Sequence, residues 1–293
     1  MSNSFRPSGF QVLPPVVKNI IIINVLMAIL QTVLAQRGID LSEYLGLHYW
    51  KSYYFQSWQY VTHMFMHGNP YSLQATLMHL FFNMFALWMF GSILENIWGA
   101  KRFLTFYFIC GLGAAALHLG VLGYNFHVTE QNVIAFYHNP TVDQFNRMLQ
   151  QNDWQGIPAF QQLNLQWQGD PGAGSFRTEA LNMLEQALYG VTDAASGRHY
   201  DGLFDQATVG ASGAVFGILL AFGYLFPNML LYFYFLVPIK AKWFVMFYAA
   251  FELYSGIRAN PGDNVAHFAH LGGMLFGYIL LRIWGMRPNR RAS

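Results

Sequence analysis

Val-Gly-Ala-Ser-Gly-Ala-Val-Phe-Gly-Ile-Leu-Leu-Ala-Phe-Gly-Tyr-Leu-Phe, residues 209–226, contains no charged side chain and a single serine hydroxyl, that of Ser212. A hydrocarbon core about 30 Å thick asks for roughly 20 such residues per helix. Five further stretches meet the same requirement: about 17–36, 73–94, 102–123, 242–258 and 264–284. The chain of 293 residues is 54% hydrophobic and only 10% charged, whereas an ordinary soluble domain carries about 25% charged residues. That composition excludes a soluble two-domain enzyme and a disordered scaffold. A net charge of +2, without a long basic run, also excludes a nucleic-acid binder. Cys110 is the single cysteine, so neither a disulfide framework nor a zinc ribbon is expected. The fold class that follows is an all-α polytopic membrane protein with six transmembrane helices in the lipid bilayer. Residues 230–237, Leu-Leu-Tyr-Phe-Tyr-Phe-Leu-Val, are too few to span and are expected at the membrane interface.

Basic residues set the orientation. Arg6, Lys18, Lys101, Arg102, Lys240, Lys242, Arg282, Arg287, Arg290 and Arg291 fall on one side if both termini are cytoplasmic. The opposite side receives 37–72, 124–208 and the short turn 259–263. Segment 124–208 holds nine acidic residues against Arg147, Arg177 and Arg198, a net charge near −6. The expected organisation is a membrane core split into 1–123 and 209–293, with 124–208 as an extracytoplasmic insertion whose own partner is unknown. Within it, Phe176, Ala180, Met183, Leu184 and Ala187 recur at helical spacing and predict one amphipathic helix over 176–189. The Gly-Asp-Pro-Gly-Ala-Gly run at 169–174 predicts a break before it.

Polar groups inside lipid are costly and mark candidate sites. His79 and Asn83 are four residues apart and share one face of the second span. Ser212 is expected about one turn into the fourth span and His270 about two turns into the sixth. These spans run in the same direction, so the four groups sit at a similar depth. Gly213-xxx-Gly217 and Gly273-xxx-Gly277 are small-xxx-small patterns that bring helix backbones close. A hydroxyl-to-imidazole hydrogen bond needs that proximity. A lone membrane serine ordinarily bonds its own i−4 carbonyl; it is the conjunction of nucleophile, base and amide that points to chemistry.

Gly-Ala-Ser-Gly-Ala-Val-Phe-Gly at 210–217, Ala-His-Leu-Gly-Gly at 269–273 with Gly277, and the His79/Asn83 pair together resemble the motifs of the rhomboid family of intramembrane serine proteases. Glu95, just before Trp98-Gly99, also matches a family position. The resemblance implies a six-helix rhomboid-like bundle in a bacterial inner membrane. It implies Ser212 as nucleophile and His270 as general base, with Phe216 stacked on the imidazole. His79, Asn83 and the Ser212 N–H would hold the oxyanion, with Gly210, Gly213, His267 and Glu95 in support. No carboxylate is expected near Ser212 or His270, so a Ser-His dyad is implied, and Glu252 in the fifth span receives no catalytic role. Transmembrane proteins cut near their outer membrane boundary are the implied substrates, and no cofactor is implied. Many relatives carry Trp-Arg where this chain has Trp58-Gln59.

Two other readings remain open. A catalytically silent scaffold of the same fold would be expected to lose Ser212 or His270. A metal-binding protein could use His63 and His67 or His267 and His270, but no HExxH motif accompanies them. His63 and His67 are expected as loop residues bonded to backbone or water near the mouth of the site, and His267 beside His270, bonded to water.

Overall fold

A computed structural model describes residues 9–69, 71–152, 154–194, 199–233, 237–258 and 266–288. The turn expected at 259–263, together with Arg6, Arg198, Arg290 and Arg291, lies outside the described residues. The longer helices are α1 (Pro15–Ala35), α2 (Leu73–Trp98), α3 (Ala100–His138), α4 (Val142–Gln151), α5 (Pro158–Gly169), α6 (Gly174–Tyr189), α7 (Ser212–Leu225), α8 (Ala241–Arg258) and α9 (His267–Ile283). Helices thus occupy all six expected apolar stretches, as α1, α2, α3, α7, α8 and α9. Of these, α1, α2 and α3 are long and apolar enough to cross a bilayer by length and composition alone. The chain is an all-α polytopic membrane protein.

Two compact units divide the described chain. The first comprises residues up to Leu47, 57–118 and 208 onward. Its innermost element is α7, ten of whose 14 residues are buried. Small residues on that helix, Gly213, Ala214, Gly217, Ala221 and Gly223, let its neighbours come near on every side. By contrast α8 buries only Ala241, Val245 and Glu252 among its described residues, while Phe247 is 74% exposed. Large apolar side chains left outward in this way suit lipid as the solvent. Pro15 stands at the start of α1, where its fixed φ is compatible with the first turn. Near its end α2 carries a π-helical stretch, Leu87–Gly91. The described ends of 230–237 belong to an antiparallel pair of strands, Leu230–Phe233 with Val237–Lys240.

Two helix starts differ from expectation. The stretch 209–211 is not helical, because Gly210 has φ +132° and its N–H donates to the His63 carbonyl at 2.8 Å. Thr208 is tied to Leu47 by backbone hydrogen bonds in both directions. Ser212 is therefore the first residue of α7 rather than one turn in. Similarly α9 opens at His267, which puts His270 in the first turn rather than the second.

The second unit comprises 48–56 and 119–207. The third expected span ends near 123, but α3 continues to His138; its 39 residues measure about 58 Å, nearly twice a hydrocarbon core. One helix was expected in 124–208, and α4, α5 and α6 are all present. Thr141 caps α4 by accepting from the Gln144 N–H, and Phe145, Met148 and Leu149 are buried on one face. These pack with Phe136, Phe160, Trp167, Ala180 and Leu184 into a separate apolar core. The helix expected over 176–189 runs Gly174–Tyr189, and the 169–174 run separates it from α5. Asp205 closes this unit. Its Oδ1 accepts from the Ser52 hydroxyl (2.7 Å) and Tyr53 N–H (2.9 Å), and its Oδ2 from His199 Nε2 (2.9 Å) and the Gly202 N–H (3.0 Å). Burial alone would raise its pKa, but these four donors hold it below the usual aspartate value.

Candidate active site

The site is built on a close approach of α7 and α9. A Cβ placed on Gly273 would collide with the Gly213 carbonyl oxygen, and one on Gly217 would collide with Cys110 and lie 2.9 Å from the Gly273 carbonyl oxygen. Gly277 is in turn 3.3 Å from Gly217 Cα by the same measure. The two small-xxx-small patterns therefore pack against each other, as their spacing predicted.

That contact places Ser212 Oγ 2.8 Å from His270 Nε2. The hydroxyl is half-buried at the start of α7, where the first backbone N–H groups have no acceptor within the helix. Phe216, one turn on, stacks on the His270 ring with centroids 4.1 Å apart and an interplanar angle of 5°. The far side of the imidazole corrects the expectation that no carboxylate is near. His270 Nδ1 lies 2.9 Å from Glu252 Oε2, and His267 Nδ1 lies 2.6 Å from the same oxygen. An ionised carboxylate only accepts, so both Nδ1 atoms carry their protons and donate to it. Water was expected as the partner of His267; Glu252 takes that place. Sequence reasoning missed Glu252, although a signal existed. The fifth span runs opposite to the fourth and sixth, so its C-terminal half lies at the depth of Ser212.

These three donors all lie within 4.8 Å of one another and resemble a cation site. Their 2.6 and 2.9 Å separations fit N–H···O hydrogen bonds. Ligands around a tetrahedral zinc stand about 3.3 Å apart, from bonds of about 2.0–2.1 Å.

His79 approaches from α2. Its Nδ1 accepts the Gly68 N–H at 2.9 Å, which leaves the proton of the neutral ring on Nε2. A Cβ on Gly210 would stand 3.2 Å from that Nε2 and 3.5 Å from Ser212 Oγ, so a side chain there would fill the space between donor and hydroxyl. Asn83, one turn further along α2, is buried and donates from Nδ2 to the His79 carbonyl at 2.8 Å. Gly213 sits at the α7–α9 contact, with its Cβ position against Ala114.

His63, which opens a short 3-10 turn, bonds backbone as expected, and His67 lies in the loop that follows, but both are buried rather than open to water. His63 bonds Gln59 O through Nδ1 at 2.8 Å. His67 donates from Nε2 to Asn24 Oδ1 at 2.7 Å, and the Gln31 amide pairs with the His67 backbone at 3.0 and 3.1 Å. The His67 ring packs edge-on against His79, with centroids 5.3 Å apart. Burial pushes the pKa of His63 down to about 4; burial, then the neighbouring His79, pushes that of His67 down to about 3. Polar Asn24 and Gln31 of the first span thus hold the segment that positions His79, a role that sequence reading did not assign. Gln59 is buried and donates to Tyr44 O at 3.3 Å, beside Trp58 Nε1 at 3.1 Å on the same oxygen.

Glu95 does not belong to this cluster. It lies sixteen residues beyond His79, about 24 Å along α2. Its two oxygens accept the Val16 and Val17 N–H groups at 2.9 and 2.8 Å, capping the positive end of α1. A small cavity beside Ser212 is lined by Leu47, His63, His118, Thr208 and Ala269, with His118 Nε2 2.8 Å from Thr208 Oγ1.

No curated protein matches the chain in sequence. The family pattern described as the Rhomboid domain matches residues 54–129 and 174–287 and passes over 130–173. Those matched segments contain every residue of the serine–imidazole–carboxylate cluster and the His79/Asn83 pair. The chain belongs to the rhomboid family.

Proposed function

We propose that the protein is an intramembrane serine endopeptidase that cleaves transmembrane proteins near their extracytoplasmic membrane boundary. One observation carries this reading: a serine hydroxyl 2.8 Å from an imidazole nitrogen, held there by helix packing within a lipid-facing bundle. In the reaction, Ser212 Oγ attacks the scissile carbonyl while its proton passes to His270 Nε2. The tetrahedral oxyanion takes hydrogen bonds from the Ser212 N–H, from His79 Nε2–H and from the second N–H of the Asn83 amide. Preorganised donors of this kind contribute roughly 10²–10³ each in rate. His270 then protonates the leaving amine as the C–N bond breaks, and water hydrolyses the acyl-enzyme through the same base. The small cavity beside Ser212, mostly apolar but with the side chains of His63, His118 and Thr208 in its wall, supports a place for that water next to the hydroxyl.

The distribution of basic residues supports cytoplasmic termini with the site reached from outside, and the membrane proposed is a bacterial inner one. The 124–208 insertion is proposed as an accessory domain. The test is cleavage of a tagged single-pass substrate by the purified protein in proteoliposomes. Wild type is expected to yield one cut near the outer boundary, and Ser212→Ala none. Equal cleavage by both would refute the reading. Deleting 130–203 with a short linker is expected to leave cleavage of a detergent-solubilised substrate; total loss in a still-folded protein would show that the insertion shapes the site.

A further inference from the structure

The proposed protease needs only a serine and a histidine, yet α8 brings a carboxylate to the far side of that histidine. Glu252 is 3% exposed. Leaving a carboxylate unpaired there would be costly, and its Oε2 is engaged by two Nδ1–H donors at 2.6 and 2.9 Å. The titratable groups around it are His267 on α9 and Tyr248 on α8, and His79 and His118 face His270 from α2 and α3.

Phe216 fixes the plane of the His270 ring by stacking on it. Stacking alone permits a half-turn of the ring in that plane and either tautomer. A hydrogen bond from Nδ1–H to Glu252 removes both freedoms: the proton is on Nδ1, so Nε2 presents a lone pair to Ser212. We propose that Glu252 is a positioning residue for the protease reaction, completing a Ser212–His270–Glu252 relay whose acid is delivered by a different helix from the other two members. The inference rests on the endopeptidase reading above. As the Oγ–C bond forms, the Ser212 proton moves to Nε2 and the Nδ1 proton stays where it is. The imidazolium then has a carboxylate beside it until Nε2–H is given to the leaving nitrogen. His267, on the same oxygen, keeps the carboxylate from turning away. Among the residues that α8 buries, Glu252 is the polar one, so this bond also ties that outward-facing helix to α9.

The experiment uses the full chain in detergent with a fluorogenic transmembrane substrate. Active-site concentration is measured by fluorophosphonate titration, so that misfolded protein is not counted. Glu252→Gln keeps the size of the side chain and removes its charge. Its expected effect is a fall in kcat per titrated site of about 10²-fold or more, with KM within about twofold; replacing the acid by its amide in a Ser-His-Asp site costs about 10⁴. Glu252→Asp is expected to recover at least tenfold of that loss. A kcat per titrated site within twofold of wild type for Glu252→Gln would overturn the proposal, and so would a loss confined to the titrated fraction. Transition metal at one equivalent in the purified protein, with activity removed by chelator, would overturn it in favour of a metal site. Ser212→Ala runs alongside: cleavage by that variant would sink the endopeptidase reading itself, an outcome separate from failure of the Glu252 role.

Discussion

Replacing Gly273 by alanine adds one methyl group at the point where α7 and α9 are closest. That carbon would overlap the Gly213 carbonyl oxygen, and it would stand 2.7 Å from the carbonyl carbon and 3.2 Å from Cα of the same residue. Carbon atoms in contact rest about 3.5–4.0 Å apart, so the helices must separate locally by about 1 Å. Backbone atoms form the obstacle, and no side-chain rotation relieves it. Overpacking of this kind costs about 1–3 kcal/mol in stability. Its larger effect is on chemistry: a 1 Å retreat of α9 stretches the 2.8 Å Ser212–His270 contact to about 3.8 Å, beyond hydrogen bonding. Misplacement on that scale costs about 10²-fold in rate. The assay is the second-order rate of fluorophosphonate labelling at Ser212 in folded, detergent-solubilised protein. Gly120→Ala is the control, because a Cβ there meets nothing within 4 Å and α-helical alanine is favoured over glycine by about 0.5–1 kcal/mol. Labelling of Gly273→Ala at the wild-type rate would refute the argument that glycine contact sets the serine–histidine distance.

Asn83→Ala is expected to lower kcat by about 10²–10³-fold with little change in KM, because its donor acts on the developing oxyanion; steady-state kinetics check this, and a pure KM effect would contradict it. Glu95→Ala removes the acceptor of two N–H groups at the start of α1 and is expected to destabilise the fold by about 1–2 kcal/mol while leaving kcat per active site unchanged, read by thermal melting and active-site titration. His63 and His67 have folded pKa values lowered to about 4 and about 3 from 6.5. The unfolded chain therefore binds protons first as pH falls. Their contribution is intact above pH 6.5 and is lost below it, at about 1.4 kcal/mol per pH unit for each histidine until its folded pKa is reached. Melting temperature against pH reads this; His67→Gln should flatten the slope between pH 6 and 4, and an unchanged slope would contradict the assignment.

Much of the fold was legible because lipid imposes a coarse and strong pattern. Six apolar stretches stood out, and glycine spacing marked the faces of α7 and α9 that touch. The approach of Ser212 to His270 followed from the same spacing, and the place of Phe216 on the imidazole from the family resemblance. Hydropathy could not place the starts of α7 and α9, since Val209, Gly210 and Ala211 count as apolar although the positive φ of Gly210 keeps them out of the helix. Nor could it show that α3 continues to His138, because polar residues from Asn125 to Gln131 end an apolar run without ending a helix. Within 124–208 the Thr141 cap and the Phe145, Met148 and Leu149 face were visible signals for α4 that went unread. Glu252 was hidden for a different reason. Spacing reveals neighbours on one helix, whereas Glu252 meets His267 and His270 across two, and only the direction of the fifth span hinted at its depth. Glu95 shows the converse: a motif match placed it with the site, and its hydrogen bonds place it at the cap of α1.

The central claim is that Ser212 is an activated nucleophile, and the most direct test is covalent labelling. Purified wild type, Ser212→Ala and His270→Ala are each exposed to a fluorophosphonate probe in detergent, with the adduct mapped by mass spectrometry. The expected result is one adduct, on Ser212, in wild type alone. A folded wild type that stays unlabelled, or a Ser212→Ala variant that labels as wild type does, would contradict the account.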